Sequence, residues 1–291
     1  MAAERATLRV AAAQIETALG DVAANLRKHL DWIERARAEH VDVLLFPELS
    51  LTGYSLRERV RDVAASAQAL LDLGRAAGPM TVTVGFVERA GTDLFNSTLT
   101  LRDSGVVAVH RKLNLPGYGR LDEARWFAVG TRVDTFALAP GWSAASLICA
   151  DLWNPALVHI AACRGADLLL APISSALEAV EGFDNPSGWT KALDFYAMMY
   201  GLPIVMANRV GREGDLTFWG GSRILDADGR MIAEAGGAEA LVIADVAKAD
   251  VSAARTRLPT IRDSNPALVH AELGRWLDVQ ETRWQVKVTR Q

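Results

Sequence analysis

Ser146-Leu147-Ile148-Cys149-Ala150-Asp151-Leu152-Trp153 continues a run of strand-like residues that begins at residue 144. A thiol therefore stands at the end of an apolar strand. Working outward, two more short segments have the same placement. Phe46-Pro47-Glu48 closes the unbroken apolar run 43–46, and His110-Arg111-Lys112-Leu113 closes the run 106–112. A thiol, a carboxylate and an ammonium thus sit at or just past three strand ends, which is where an α/β protein builds its site. The three groups are chemically complementary. A carboxylate can take the proton of a thiol, and a nearby cation can stabilise the thiolate and any oxyanion formed later.

The flanking sequence supports an α/β reading. Residues 8–14 form a small-residue strand, and Val22, Leu26, Leu30 and Ile33 recur at helical spacing within 21–39. Residues 41–46 match a strand covered on both faces. A helix is predicted over 60–77, closed by Gly78-Pro79, and a strand over 81–87. Hairpins are predicted at 97–102 with 106–112, over Asp103-Ser104-Gly105, and at 133–138 with 144–149, around Pro140-Gly141. A charged, glycine-rich loop lies at 114–130. Helices over 155–164 and 189–200 alternate with strands over 167–172 and 204–208. Residues 223–225 and 231–235 flank the turn Asp226-Ala227-Asp228-Gly229, and 241–246 is the last strand. Hairpins and crossovers together argue a mixed-sheet α/β layer protein, with one domain spanning 1–265. The tail, 266–291, is amphipathic through Leu268, Leu273, Trp276 and Leu277, and is expected either at a subunit interface or on its own core.

Composition narrows the function. The chain has 291 residues, half of them hydrophobic, and a net charge of −4. That supports a sizeable core, and no basic stripe points to nucleic acid. No run approaches the length of a membrane span, and the N-terminus lacks the pattern of a secretory signal. A cytoplasmic protein with two reduced cysteines, Cys149 and Cys163, is the expectation. Cys163, in a small-residue helical stretch, reads as a buried small hydrophobe. None of the five histidines makes a metal-ligand pattern, and none is placed for a Cys-His protease.

A lone cysteine after a strand is more often core than catalytic, so the company it keeps matters. At these motifs the chain resembles the nitrilase superfamily of carbon–nitrogen hydrolases. Phe46-Pro47-Glu48-Leu49 is similar to the motif that places the general base. Arg111-Lys112-Leu113 is similar to the motif that supplies the lysine, and Ile148-Cys149-Ala150-Asp151 to the one that presents the nucleophile. The segment 121–127, with Gly130, resembles the part that carries an auxiliary glutamate, here Glu123. Ala207-Asn208-Arg209-Val210-Gly211 and Trp219-Gly220-Gly221-Ser222 also fit. The resemblance implies a four-layer α-β-β-α sandwich that assembles as a homodimer or a higher homo-oligomer, with no metal or organic cofactor.

Within the superfamily, true nitrilases usually carry Trp-Glu after the cysteine, whereas Ala150-Asp151 looks like the amide-hydrolysing branches. Residues 115–123 are similar to the glutaminase domain of glutamine-dependent NAD synthetases. Tyr54 and Ser175 match positions that line the glutamine pocket there. No Gly-rich phosphate loop for the ATP-using synthetase reaction is visible in this chain. The resemblance therefore implies an amidase acting on a small linear amide, of the polar glutamine kind, through a thioester. Glu48, Lys112, Cys149 and Glu123 are the expected catalytic set. Tyr54, Tyr118, Ala150, Trp153 and Ser175 are the expected substrate-binding set. A backbone N–H of Ala150 or Asp151 would assist Lys112 at the oxyanion. A nitrilase, a glutaminase subunit that feeds ammonia to a separate synthetase, and an inactive binding protein on the same fold are the alternatives.

Overall fold

The computed structural model describes residues 5–63 and 67–288. It opens on β1 (Thr7–Gln14), where Leu8, Val10 and Ala12 face one way and Ala11 and Ala13 the other, all fully buried. A strand that is apolar on both faces needs a layer on each side. On one side lies α1 (Val22–Ala38), capped by the Asp21 side chain on the Ala24 N–H, burying Trp32, Ile33 and Ala36. Next come β2 (Val43–Leu45), α2 (Ala67–Ala77), β3 (Thr81–Ala90), β4 (Asp93–Arg102) and β5 (Gly105–Arg111). The second half contains β6 (Thr135–Ala139), β7 (Trp142–Ser146), α3 (Pro155–Cys163), β8 (Leu168–Pro172), α4 (Asn185–Tyr200) and β9 (Ile204–Ala207). It closes with β10 (Val210–Glu213), β11 (Leu216–Trp219), β12 (Arg223–Leu225), β13 (Met231–Glu234), β14 (Ala240–Ala247), α5 (Lys248–Arg257) and α6 (Pro266–Val288).

Two six-stranded sheets result, in the orders β14-β1-β2-β3-β4-β5 and β13-β12-β9-β8-β7-β6, with β10-β11 as a separate ribbon. Each large sheet has three parallel strands at its centre, β1-β2-β3 in one and β7-β8-β9 in the other. Antiparallel strands flank them. Leu8, Val10, Val43 and Leu45 meet Leu168, Leu170, Val205 and Ile224 between the sheets. Ile33, Leu44, Leu73 and Val82 fill the layer under α1 and α2, and Val158, Leu169, Trp189 and Leu193 the layer under α3 and α4. The protein is an α-β-β-α sandwich.

Several boundaries differ from expectation. The segment read as a helix over 60–77 is a short 3₁₀ turn, Arg57–Arg61, followed by α2, while 64–66 lie outside the described residues. β3 and β4 form a long hairpin that begins well before residue 97. The cysteine strand stops at Ser146, three residues before Cys149. α5 had no expected counterpart. Cys163 is exposed, not buried. In α3, Val158, Ala161 and Ala162 take the inward face, which turns Cys163 outward beside His159, Sγ to Nε2 3.5 Å.

Candidate active site

The three strand ends converge. β2 runs into Phe46, whose N–H donates to the Thr83 carbonyl at 2.9 Å, and the chain then turns through Pro47 and Glu48. Leu49 takes a φ of 49°, and Ser174 Oγ donates to the Glu48 carbonyl at 2.8 Å, so the turn is fixed on both sides. Lys112 extends the β4–β5 ladder by one residue, its N–H donating to the Asn96 carbonyl at 2.8 Å. Glu123 opens a 3₁₀ turn, Glu123–Arg125, held by its N–H on the Pro116 carbonyl at 3.0 Å.

Lys112 Nζ donates to Glu48 Oε1 at 2.6 Å and to Glu123 Oε1 at 2.7 Å. All three side chains are buried. Such a buried ion pair is tolerated only with full partnering, and removing one member typically costs about 3–5 kcal/mol. Two of the three ammonium protons are committed, which leaves one donor for a ligand. Glu48 Oε2 has no hydrogen-bond partner, an acceptor left open in a buried site. Burial alone would lower the Lys112 pKa, but the charges of Glu123 and Glu48 hold it well above the ordinary value. Burial, against the pull of Lys112 and with the help of Glu48, raises the Glu123 carboxyl to about 7.

Cys149 lies at the floor of the pocket this cluster supports. It begins a 3₁₀ turn, Cys149–Trp153, with a φ of 44°. That left-handed conformation is costly for a non-glycine residue, and it is found where a site over-determines the backbone. Burial and the Glu48 charge raise the thiol well above its ordinary pKa, and Lys112 only partly opposes them. The resting group is a thiol, so attack requires a base.

The elbow is clamped by Asp151. Its Oδ2 accepts from the Ile148 N–H at 3.0 Å and pairs with His110 Nε2 at 2.9 Å. Its Oδ1 accepts from the Leu113 and Asn114 N–H groups, both at 2.8 Å. One buried carboxylate therefore ties the cysteine turn to the chain just past Lys112. The Asp151 N–H donates to the Ile148 carbonyl at 2.9 Å, which leaves Ala150 as the backbone donor beside the thiol.

Of the expected binding residues, Tyr54, Tyr118, Ala150, Trp153 and Ser175 all line the same cavity of about 250 Å³. Tyr54 Oη donates to Glu123 Oε1 at 2.6 Å, so it belongs to the charged cluster as much as to the wall. Its backbone is held by Glu213, which accepts the Tyr54 and Ser55 N–H groups and pairs with buried Arg209. Ser175 Oγ accepts from the indoles of Trp189 and Trp219 at 3.0 and 3.2 Å. Three contributors were missed in the sequence. Asn96 Nδ2 donates to Glu48 Oε1 at 2.8 Å and reaches Glu123 Oε2 at 3.3 Å. Ser174 and the Asp151–His110 pair complete the set. The polar run Asn96-Ser97-Thr98 within an apolar strand was the one signal available for Asn96. Among the described residues no group of three His, Cys, Asp or Glu side chains is arranged to hold a metal. No helix there is long and apolar enough to cross a membrane.

A thiol on a strained turn and a lysine shared by two carboxylates, brought together just past strand ends of an α-β-β-α sandwich, mark a class. The chain belongs to the carbon–nitrogen hydrolase family, whose model matches residues 9–256. It is 31% identical over 236 residues to the glutamine-dependent NAD(+) synthetase of Thermotoga maritima, covering 77% of this chain and 39% of that one. The chain thus spans about two-fifths of the synthetase relatives it matches. It is 27% identical to the 2-oxoglutaramate amidase of Bacillus subtilis, over 86% of this chain and 95% of that protein. An amidase structure from Nesterenkonia sp. superposes with a TM-score of 0.79 at 25% identity, covering 93% of this chain and 98% of its own. The carbon-nitrogen hydrolase of Helicobacter pylori shares the fold at a TM-score of 0.83 and 21% identity.

Proposed function

We propose that this hydrolase is an amidase that releases ammonia from small carboxamides through a thioester on Cys149, with Glu48 and Lys112 completing the catalytic triad. The observation that carries the reading is Lys112 Nζ held between Glu48 Oε1 and Glu123 Oε1 beneath a cavity floored by Cys149. As Cys149 Sγ attacks the amide carbon, Glu48 takes the thiol proton. The open Oε2 is the free acceptor for it. The remaining Lys112 proton and the Ala150 N–H stabilise the oxyanion, and losing one such donor costs about 3–4 kcal/mol of barrier. Glu48 then returns the proton to the departing ammonia, the C–N bond breaks and the thioester remains. Glu48 next takes a proton from water, which attacks the thioester carbon and frees the acid and the thiol. Glu123 and Asn96 hold Lys112 and Glu48 in place. No step calls on a cofactor.

The reading also places the chain in a reducing compartment such as the cytoplasm, since the nucleophile must stay a free thiol. Self-association is proposed as well, on the exposed apolar side chains of α6. In one Nesterenkonia amidase structure the acetamide moiety of fluoroacetamide is covalently added at the active-site cysteine. The same probe tests this chain. Fluoroacetamide is expected to place one acetamide adduct on Cys149, found by peptide mass, with parallel loss of ammonia release. An adduct on Cys163 with ammonia release retained would refute the assignment. The similarity to synthetase glutaminase domains favours a second reading, a glutaminase, whose mark would be glutamine turnover above that of simple amides.

A further inference from the structure

We infer that the acyl pocket is built for an uncharged, apolar acyl group, so that simple aliphatic and aryl-aliphatic carboxamides are its substrates and ω-amides bearing a free carboxylate, glutamine included, are rejected. The inference rests on the amidase reading and names its substrate class. Above Cys149 the cavity is walled by Tyr54, Tyr118, Leu121, Trp153, Val180 and Phe183. Among the described lining residues there is no Lys, Arg, His, Asp or Glu. A carboxylate or ammonium carried into such a space would be desolvated without a partner, which buried charge does not tolerate.

Several polar side chains in the wall are already engaged, and the others, the Tyr118 hydroxyl and the Trp153 indole, carry no charge. Tyr54 Oη donates to Glu123, Ser174 Oγ to the Glu48 carbonyl, and Asn185 Nδ2 to the Ala176 carbonyl at 2.9 Å. Ser175 Oγ accepts from both indoles. Three charged residues that neighbour the wall in sequence make bonds within the protein. Arg120 reaches the Asp215 carbonyl, Glu178 accepts the Thr217 N–H, and Asp184 caps α4 on the Ser187 N–H. Beneath the floor lie two carboxylates and one ammonium, a set that offers no net attraction to a second anion.

The wall is instead an aromatic stack. The rings of Trp153 and Trp189 are 4.3 Å apart, and Phe183 meets Trp153 edge-on at 5.8 Å. Gly188 makes room for it: a Cβ there would lie 2.5 Å from Phe183 Cζ. Trp153 and Phe183 nevertheless stay 36% and 44% exposed, apolar surface that an apolar acyl chain would cover. The cavity, about 250 Å³, lies at the small end of ligand sites, which sets a short chain.

The test is a matched pair of equal length, pentanamide and glutaramate (5-amino-5-oxopentanoate), with L-glutamine alongside. Ammonia release is expected to show a kcat/KM at least ~100-fold higher for pentanamide than for either charged amide. Phe183→Arg, which sets a cation at the mouth, is expected to shrink that ratio by about tenfold. Equal or better turnover of glutaramate or glutamine overturns the inference while leaving the amidase reading intact. If no amide is turned over, the amidase reading fails, and binding to Cys149→Ala still decides the pocket. Quenching of Trp153 and Trp189 fluorescence by pentanamide but not by glutaramate supports it, and the reverse refutes it.

Discussion

At the scale of single residues, burial sets the chemistry more than sequence position does. His29 shows this away from the site. It is buried against Phe46, with Nδ1 2.7 Å from the Asn25 carbonyl and Nε2 2.9 Å from Ser50 Oγ. Burial lowers its pKa from the ordinary 6.5 to about 4. Between those values the unfolded chain holds a proton that the folded chain refuses. Stability from this residue is therefore complete above pH 6.5 and is lost as the pH falls toward 4, by about 3 kcal/mol in all. Urea unfolding at pH 7.5, 5.5 and 4.5 is expected to show that acid limb, and His29→Gln to flatten it; equal slopes would disprove the assignment. Sequence alone gave no hint of this histidine's state. Glu48, Lys112 and Cys149 were legible because each stands in a short motif at a strand end. Asn96 and Ser174 were not, because their partners are 48 and 126 residues away and only the folded sheets bring them together.

At the scale of elements, the helix and strand types were legible where periodicity was strong, and the boundaries were lost where tertiary contacts overrode it. The cysteine strand illustrates the limit. Leu147 and Ile148 read as strand, yet the Asp151 carboxylate draws the Ile148 N–H into the elbow instead. The Glu48 turn is likewise set by a neighbouring strand. Gly85 on β3 passes so close that a Cβ there would lie 2.3 Å from the Leu49 nitrogen and 2.5 Å from the Pro47 oxygen. Both contacts are backbone, so the turn itself would have to move. Gly85→Ala is expected to destabilise the fold by about 1–3 kcal/mol. It should also cut ammonia release by at least ~10-fold through displacement of Glu48. Melting temperature and kcat measured on the same preparation check this. A melting shift with unchanged kcat would show that the Glu48 turn tolerates the displacement.

At the scale of the whole molecule, the sandwich and its layer order followed from the family motifs, whereas the strand pattern alone reached only a mixed α/β layer protein. The tail is where the two expectations for residues 266–291 diverge. Among the described side chains of α6, Leu268, Leu273, Trp276 and Leu277 are each more than half exposed. A single helix of 23 residues, about 34 Å long, gains little stability in water without a packed face. It leaves the body beside α3, where Ser264 Oγ lies 4.0 Å from Cys163 Sγ. Ile160 on α3 and Phe195 and Met198 on α4 are exposed as well. Helices over one sheet and the emerging tail thus both present apolar side chains. We propose a second copy of the chain as the occupant of both, because a two-fold pairing would let each tail cover the other body. Sedimentation equilibrium is expected to give at least twice the 31.4 kDa of one chain. Leu273→Glu with Trp276→Glu should shift the mass toward a single subunit, since charge on a buried contact is strongly disfavoured. The cysteine cluster lies in the sandwich, so adduct formation on Cys149 should survive the substitution. A parent protein that sediments as one chain at micromolar concentration would rule the pairing out and leave α6 for another partner.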